Sequence, residues 1–311
     1  MQFDSIRCTL AAFALLACAS TPASAVCEFS KVAEMPLMQA SNGHPMVSAE
    51  INGKPVFMLF DTGSNVTTLT REGARSQGLS VEMGQGYSYG VGGTSSNQVT
   101  EVDEFVLGNS RIRKTKLWVL GSASLGDEFV GLIGADYSMQ MDLEVALADK
   151  VARMFRTSDC NNAYLGYWDK DAMEVPLEWP GSFDKRPYVT VELNGKPVRA
   201  LIDTGANLTV IYRRTAAKAG VQVDPAKPSS QISGIGDHQV SLWSARFDFK
   251  LGDELLKNVK MTVMDERSES EDDYSAMILG QDWLRAHRVL FARSQKRLIY
   301  SYLGGKLFDS P

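Results

Sequence analysis

An all-β chain of two tandem, similar lobes is the fold class the sequence predicts, and three observations predict it. The stretch Pro45–Asn65 aligns without a gap on Pro187–Asn207, at a constant offset of 142 residues. The parallel continues downstream to nearly the end of the chain, as expected of two copies of one structural unit. Each copy is a string of short apolar or alternating runs separated by turn residues, the signature of short strands.

The first 25 residues read as an export signal. Arg7 precedes the apolar run Thr9–Ala17, and small residues follow up to Ala23-Ser24-Ala25, an A-x-A cleavage site. The apolar run is too short to span a membrane, and no later stretch reaches that length. Cleavage after Ala25 predicts a soluble periplasmic or secreted protein. The alternative is lipidation at Cys18, because Leu15-Leu16-Ala17-Cys18 resembles a lipoprotein cleavage site, although Leu16 is an unusual choice there. Asp4 and Arg7 cancel, so cleavage keeps the net charge at −5.

Four segments follow from this reading: signal 1–25, first lobe 26–158, connection 159–185 and second lobe 186–311. In each lobe a strand (Pro45–Glu50, Pro187–Leu193) leads to an Asn-Gly hairpin turn (Asn52-Gly53, Asn194-Gly195). The next strand, Val56–Phe60 or Val198–Ile202, runs straight into Asp61-Thr62-Gly63-Ser64 or Asp203-Thr204-Gly205-Ala206. Apolar stretches Val66–Leu69 and Leu208–Ile211 come next, then short helices over Arg71–Gln77 and Arg213–Ala219, with Gly78 and Gly220 placed as left-handed C-terminal caps. Tyr89-Gly90-Val91-Gly92-Gly93 faces Ser233-Gly234-Ile235-Gly236-Asp237 at offset 144. Two strands around a turn follow, Phe105 to Leu120 and Phe249 to Met264. Leu132-Ile133-Gly134 then faces Ile278-Leu279-Gly280 at offset 146, and a final strand pair closes each copy. The drifting offset marks loop insertions. The connection holds one strand at Glu174–Leu177, and the acidic run Asp265–Asp273 is a solvated excursion.

Composition excludes more than it selects. The chain has 311 residues, 44% apolar and 22% charged, enough for two ordinary soluble domains. Its acidic balance argues against nucleic acid as a partner. His44, His238 and His287 lack ligand spacing, so no metal is predicted and no cofactor is implied. Neither Gly-x-Gly run opens a helix after a strand, which excludes a phosphate cradle. Signal cleavage leaves Cys27 and Cys160, an even pair that predicts a disulfide in an oxidising compartment; two unpaired thiols is the other reading.

The chemistry sits in the repeated turn. A single Asp after an apolar strand is often only a turn-former. Two copies in one setting imply a pseudo-two-fold arrangement that brings Asp61 and Asp203 face to face. Glycine lets a second backbone come close, and each Thr can point inward to bond the neighbouring loop. Two carboxyls at hydrogen-bond distance share one proton, which makes an acid and a base able to work on a water between them.

These residues resemble the retropepsin-like (clan AA) aspartic proteases, in a duplicated, single-chain bacterial form. The resemblance rests on apolar-Asp-Thr-Gly-Ser/Ala twice, a Gly-rich tip, and apolar-apolar-Gly twice, over about Pro45–Tyr302. It implies an endopeptidase with Asp61 and Asp203 as the catalytic pair, supported by Thr62, Gly63, Ser64, Thr204, Gly205 and Ala206. It also implies flaps at Tyr89, Gly90, Val91, Gly92 and at Gly234, Ile235, Gly236. The partner would be an extended protein or peptide substrate, the chain a functional monomer, and the role processing or quality control in the bacterial envelope. The rivals are an extended-peptide-binding protein that kept the fold without the chemistry, and an enzyme that must homodimerise. One asymmetry stands out. Ser64 faces Ala206, and a Ser64 hydroxyl bonded to Asp61 would make Asp61 the more acidic member.

Overall fold

The protein is described by a computed structural model, which covers residues 26–90, 93–121, 125–181, 183–232, 239–265 and 276–308. The expected signal, Cys18, Val91, Gly92, Gly234, Ile235, Gly236 and most of the acidic run lie outside these residues.

Each copy forms one predominantly antiparallel sheet that closes on itself. In the first, Pro45–Ile51 pairs with Lys54–Phe60 across Asn52-Gly53, and also with Gly93–Leu107. In the second, Tyr188–Leu193 pairs with Lys196–Ile202 across Asn194-Gly195, and also with Val240–Leu251. Both Asn-Gly turns hold both residues at positive φ (51° and 77°, 49° and 75°), the twist a tight hairpin requires. The interior of each sheet carries the buried alternate residues: Val47, Ala49, Ile51, Met58 and Phe60 in one, Val189, Val191, Leu193, Ala200 and Ile202 in the other.

The two short helices are Arg71–Ser76 and Arg213–Lys218, followed by Gly78 and Gly220 at φ +73° and +84°. Thr70 caps the first, its hydroxyl accepting from the Gly73 N–H at 2.9 Å. Two further single-turn helices, Ala135–Ser138 and Gln281–Leu284, extend the apolar-apolar-Gly segments beyond what the pattern predicts. The strand of the connection runs Met173–Pro176, one residue upstream of its expected position.

A third sheet joins the copies. Its six strands lie in the order Glu28–Pro36, Val151–Ser158, Asp142–Ala146, His287–Ala292, Arg297–Tyr302, Met173–Pro176. The closing strand pair of each copy meets its twin in the middle, with Leu143 opposite Phe291 and Val145 opposite Val289. These residues are buried, and one continuous core runs from the first sheet through the joint to the second. The lobes therefore share an interior rather than hang on a linker.

Cys27 and Cys160 form a disulfide, with Cα atoms 4.4 Å apart. It clamps the antiparallel pair in which Glu28 faces Ser158, at the edge of the joining sheet. The bond closes a sequence separation of 133 residues. Loop-closure entropy then predicts that Cys27→Ser with Cys160→Ser lowers unfolding free energy by about 4–5 kcal/mol, measured by urea unfolding of oxidised wild type and the double variant. A loss under about 2 kcal/mol would mean the strand pair already restrains those ends in the unfolded ensemble.

Candidate active site

Both Asp-Thr-Gly turns leave a buried strand that is braced by a parallel neighbour. Lys54–Phe60 lies beside Gly131–Ile133, and Lys196–Ile202 beside Met277–Leu279. The Asp61 N–H donates to the Ile133 carbonyl and the Asp203 N–H to the Leu279 carbonyl, each at 3.0 Å. The two carboxyl-bearing residues thus start from equivalent, fixed backbone positions.

Thr62 and Thr204 interlock the turns. Both are fully buried. The Thr62 N–H donates to Thr204 Oγ1 and the Thr204 N–H to Thr62 Oγ1, both at 3.0 Å. Each hydroxyl then donates to the other strand's carbonyl, Thr62 Oγ1 to Ile202 at 2.8 Å and Thr204 Oγ1 to Phe60 at 2.6 Å. Four hydrogen bonds related by a pseudo-two-fold axis hold the loops together.

The glycines are there for space. A Cβ on Gly63 would lie 2.2 Å from Asp203 Cγ, and one on Gly205 would lie 2.6 Å from Asp61 Cγ. Each turn packs against the opposite carboxyl, and a methyl group on either would drive the pair apart.

Asp61 and Asp203 are in hydrogen-bond contact through their side chains. Asp61 Oδ1 accepts from the N–H groups of Gly63 (2.9 Å) and Ser64 (3.0 Å), while Asp203 Oδ1 accepts from those of Gly205 (2.7 Å) and Ala206 (3.1 Å). Burial holds the Asp61 carboxyl well above the usual range, and the neighbouring Asp203 charge and their shared hydrogen bond add to it. The two backbone donors pull the other way and are outweighed. The residue still keeps a solvent-facing edge.

The Ser64 hydroxyl does not make the expected bond to Asp61. It donates to the Val66 carbonyl at 3.1 Å. Both carboxyls receive the same two backbone donors, so this position does not set them apart.

Beneath each loop lies a duplicated polar brace that the sequence reading left without a role. Asp136 Oδ1 accepts from the Thr67 N–H (2.8 Å) and hydroxyl (2.7 Å); Asp282 Oδ1 does the same for Thr209 (2.8 and 2.5 Å). The threonine oxygens accept from the Gly134 and Gly280 N–H groups, and the following N–H groups, Ala135 and Gln281, donate to the Ser64 and Ala206 carbonyls. Both aspartates fall inside the repeat, which was the available signal.

Burial pushes Asp282 from 3.8 up to about 6, against the pull of the Thr209 bonds. A carboxyl with a raised folded-state pKa favours the fold while protonated, and that contribution is lost as pH rises through the folded value. Asp282→Asn keeps an acceptor for Thr209 and does not titrate. Its stability relative to wild type is therefore expected to climb between pH 4 and about 6 by on the order of 3 kcal/mol and then level off, measured by denaturant unfolding across that range. A flat difference would show that burial is relieved in another way.

The surroundings of the loops are not symmetric. Asn65 Nδ2 donates to the Phe183 carbonyl (2.9 Å), and its Oδ1 accepts from the Lys185 N–H (2.8 Å). Asn207 Nδ2 instead donates to the Asn42 carbonyl (3.1 Å) and lies 3.2 Å from His44 Nε2. The Gln281 side chain, which has an alanine as its counterpart in the first lobe, bonds the Thr204 carbonyl and lies beside His44 Nδ1. Burial, helped by the Arg285 charge, holds His44 below its usual pKa.

The first flap expectation falls on a described hairpin. Val81–Gly90 pairs with Gly93–Leu107, with Tyr89 opposite Thr94 and Gly90 opposite Gly93 at the tip. Among the described residues no group of three or more His, Cys, Asp or Glu side chains is arranged to hold a metal ion.

Known proteins agree with this architecture. A lupine seed globulin, conglutin gamma, has a similar fold, with a TM-score of 0.50 over 86% of this chain and 94% of its own, at 11% identity. DNA damage-inducible protein 1 of the yeast Kluyveromyces lactis is 31% identical over 103 residues, which is 33% of this chain. The aligned part is only 23% of that relative's length. The profile of the aspartyl protease family matches residues 47–137 and again residues 189–283. Because the profile is satisfied once by each copy, and by more than half of the chain in total, the chain belongs to the aspartyl protease family.

Proposed function

We propose that this chain is an exported aspartic endopeptidase that works as a monomer, with Asp61 and Asp203 as its catalytic pair. The observation that carries the reading is the mutual hydrogen bond of two carboxyls, one held well above its usual pKa by burial and by the other's charge. Such a pair keeps one proton between its members at working pH. The ionised member takes a proton from a water held between them as the water oxygen attacks the peptide carbonyl. The protonated member gives its proton to the carbonyl oxygen. When the tetrahedral intermediate collapses, the C–N bond breaks and the amine leaves with a proton returned by the pair. The protons belong to the pair, so neither aspartate has a fixed role.

Thr62, Gly63, Ser64, Thr204, Gly205 and Ala206 serve by position, through the interlock and the close packing of the turns. The tip around Gly90 is suited to cover an extended substrate, which would pair with it by backbone hydrogen bonds. Both carboxyls come from one chain, which supports a monomer. The Cys27–Cys160 disulfide supports an oxidising, extracytoplasmic setting, in line with the leader. No helix among the described residues is long and apolar enough to cross a membrane.

The test is incubation of the mature protein with a diverse peptide pool at several pH values, with products read by mass spectrometry. New termini that appear with wild type and not with Asp61→Asn support the endopeptidase. Retention of peptides without cleavage would support the peptide-binding rival.

A further inference from the structure

We infer that a basic groove behind the first active-site loop binds an acidic segment of the polypeptide substrate, outside the residues that are cut. The inference rests on the endopeptidase reading above. Two concavities of about 360 and 180 Å³ lie side by side, and Arg293 lines both. The larger also carries Arg156, and the smaller carries Lys185 and Lys296. On a chain of net charge −5, four cations around one groove are a local exception.

Their charge is not spent inside the protein. None of the four meets a carboxylate at ion-pair distance among the described residues. The two acidic residues of the lining bond other groups than these cations. Asp142 is buried and accepts from Thr157 Oγ1 (2.5 Å), the Ser294 N–H (2.8 Å) and Ser294 Oγ (2.7 Å). Asp184 is held by Arg186 through two contacts of 2.9 and 2.6 Å. Arg293 is fixed in place by donating to the Met139 carbonyl and by lying 5.9 Å over the Trp179 ring. Lys185 is half-buried, while Arg156 and Lys296 are exposed.

The groove adjoins the proposed active site. The Lys185 backbone is tied to Asn65, four residues beyond Asp61, as is the Phe183 carbonyl. The larger concavity begins at Gln140, just past the helix whose Ala135 and Asp136 N–H groups bond the Ser64 and Asn65 carbonyls. Phe183, next to Asp184 of the smaller concavity, is 91% exposed. The second loop has Asn42 and His44 in the matching place, so the groove serves one end of a bound chain only. Carboxylate side chains fit these cations. A long nucleic acid would run beyond the groove onto a surface whose net charge repels it.

The test has two arms. In the first, fluorescence anisotropy follows a labelled hexaglutamate peptide and a hexaglutamine control, which needs no hydrolysis. Hexaglutamate is expected to bind wild type and Asp61→Asn alike at about 20 mM salt, and at least tenfold more weakly at about 300 mM. The triple variant R156E/K185E/K296E, which leaves the Arg293 contacts alone, is expected to lose this binding. In the second, a cleaved core sequence carries either extension at either end. The acidic extension is expected to lower KM about tenfold at one end only, with kcat unchanged and no gain in the triple variant. Equal binding of the two peptides, retention of the preference by the triple variant, or a DNA oligonucleotide bound as tightly as hexaglutamate would each overturn the proposal. Absence of any cleavage with the first arm intact would instead fault the endopeptidase reading.

Discussion

Asp61→Asn is expected to lower kcat/KM on a cleaved peptide by about 10³–10⁴-fold while leaving the protein folded. Asn has nearly the shape of Asp and can still accept from the Gly63 and Ser64 N–H groups. It cannot take a proton from water or pass one on. Asp203→Asn should cost as much, and the double variant little more, because the pair acts as a unit. The same substitution carries a stability signature, which follows from the buried pair itself while turnover reads the chemistry. The folded-state pKa of Asp61 is raised, so the carboxyl favours folding while protonated, and its ionisation works against the fold as pH climbs through the raised value. Asp61→Asn should therefore melt at a higher temperature than wild type at neutral pH, with the gain shrinking toward pH 3–4. Thermal unfolding at several pH values, alongside turnover of the same samples, reads both effects. Retained turnover in either single variant would place the chemistry elsewhere.

Much of this site was legible in the sequence because it is written twice and locally. Asn52-Gly53 and Asn194-Gly195 announce hairpins through backbone preference alone, and both adopt positive φ. An Asp-Thr-Gly at the end of an apolar strand is ambiguous once, but two copies at one offset imply a symmetric meeting, and the threonine interlock delivers it. Gly63 and Gly205 are small for the reason inferred from the turn, namely the approach of the other chain segment.

What escaped the reading is long-range or asymmetric. The joining sheet depends on Asp142–Ala146 pairing with His287–Ala292 across the lobes, and no periodicity within either strand names that partner. Glu28–Pro36 is only partly buried along most of its length, so it lacks the apolar run that would mark a strand, and it is held by Val151–Ser158 and the disulfide. Asp136 and Asp282 sat inside the compared segments, yet their partners Thr67 and Thr209 lie about 70 residues upstream. Ser64 failed for another reason. Its hydroxyl donates to the Val66 carbonyl two residues along, while Asp61 Oδ1 accepts from the backbone N–H groups of Gly63 and Ser64.

Thr204→Val tests whether the interlock, rather than the carboxyls alone, makes the site. Valine keeps the branched shape but removes an oxygen that accepts from the Thr62 N–H and donates to the Phe60 carbonyl in a fully buried setting. Each orphaned buried group costs about 1–3 kcal/mol, so the variant is expected to lose about 2–5 kcal/mol of unfolding free energy. Activity should fall by more than the folded fraction accounts for, since two loops released from each other no longer hold the carboxyls at hydrogen-bond distance, and small misplacement is expensive in catalysis. Thr204→Ser, which restores the oxygen, should recover most of both. Thr62→Val should mirror Thr204→Val, and the double variant should cost less than the sum of the singles, because the first change already strands groups on both loops. If Thr204→Val were stable and fully active, the joining sheet and shared core would suffice to align the lobes. Loss of activity with stability restored by the serine variant, but turnover still absent, would instead show that the threonine methyl is needed to pack the loops into register.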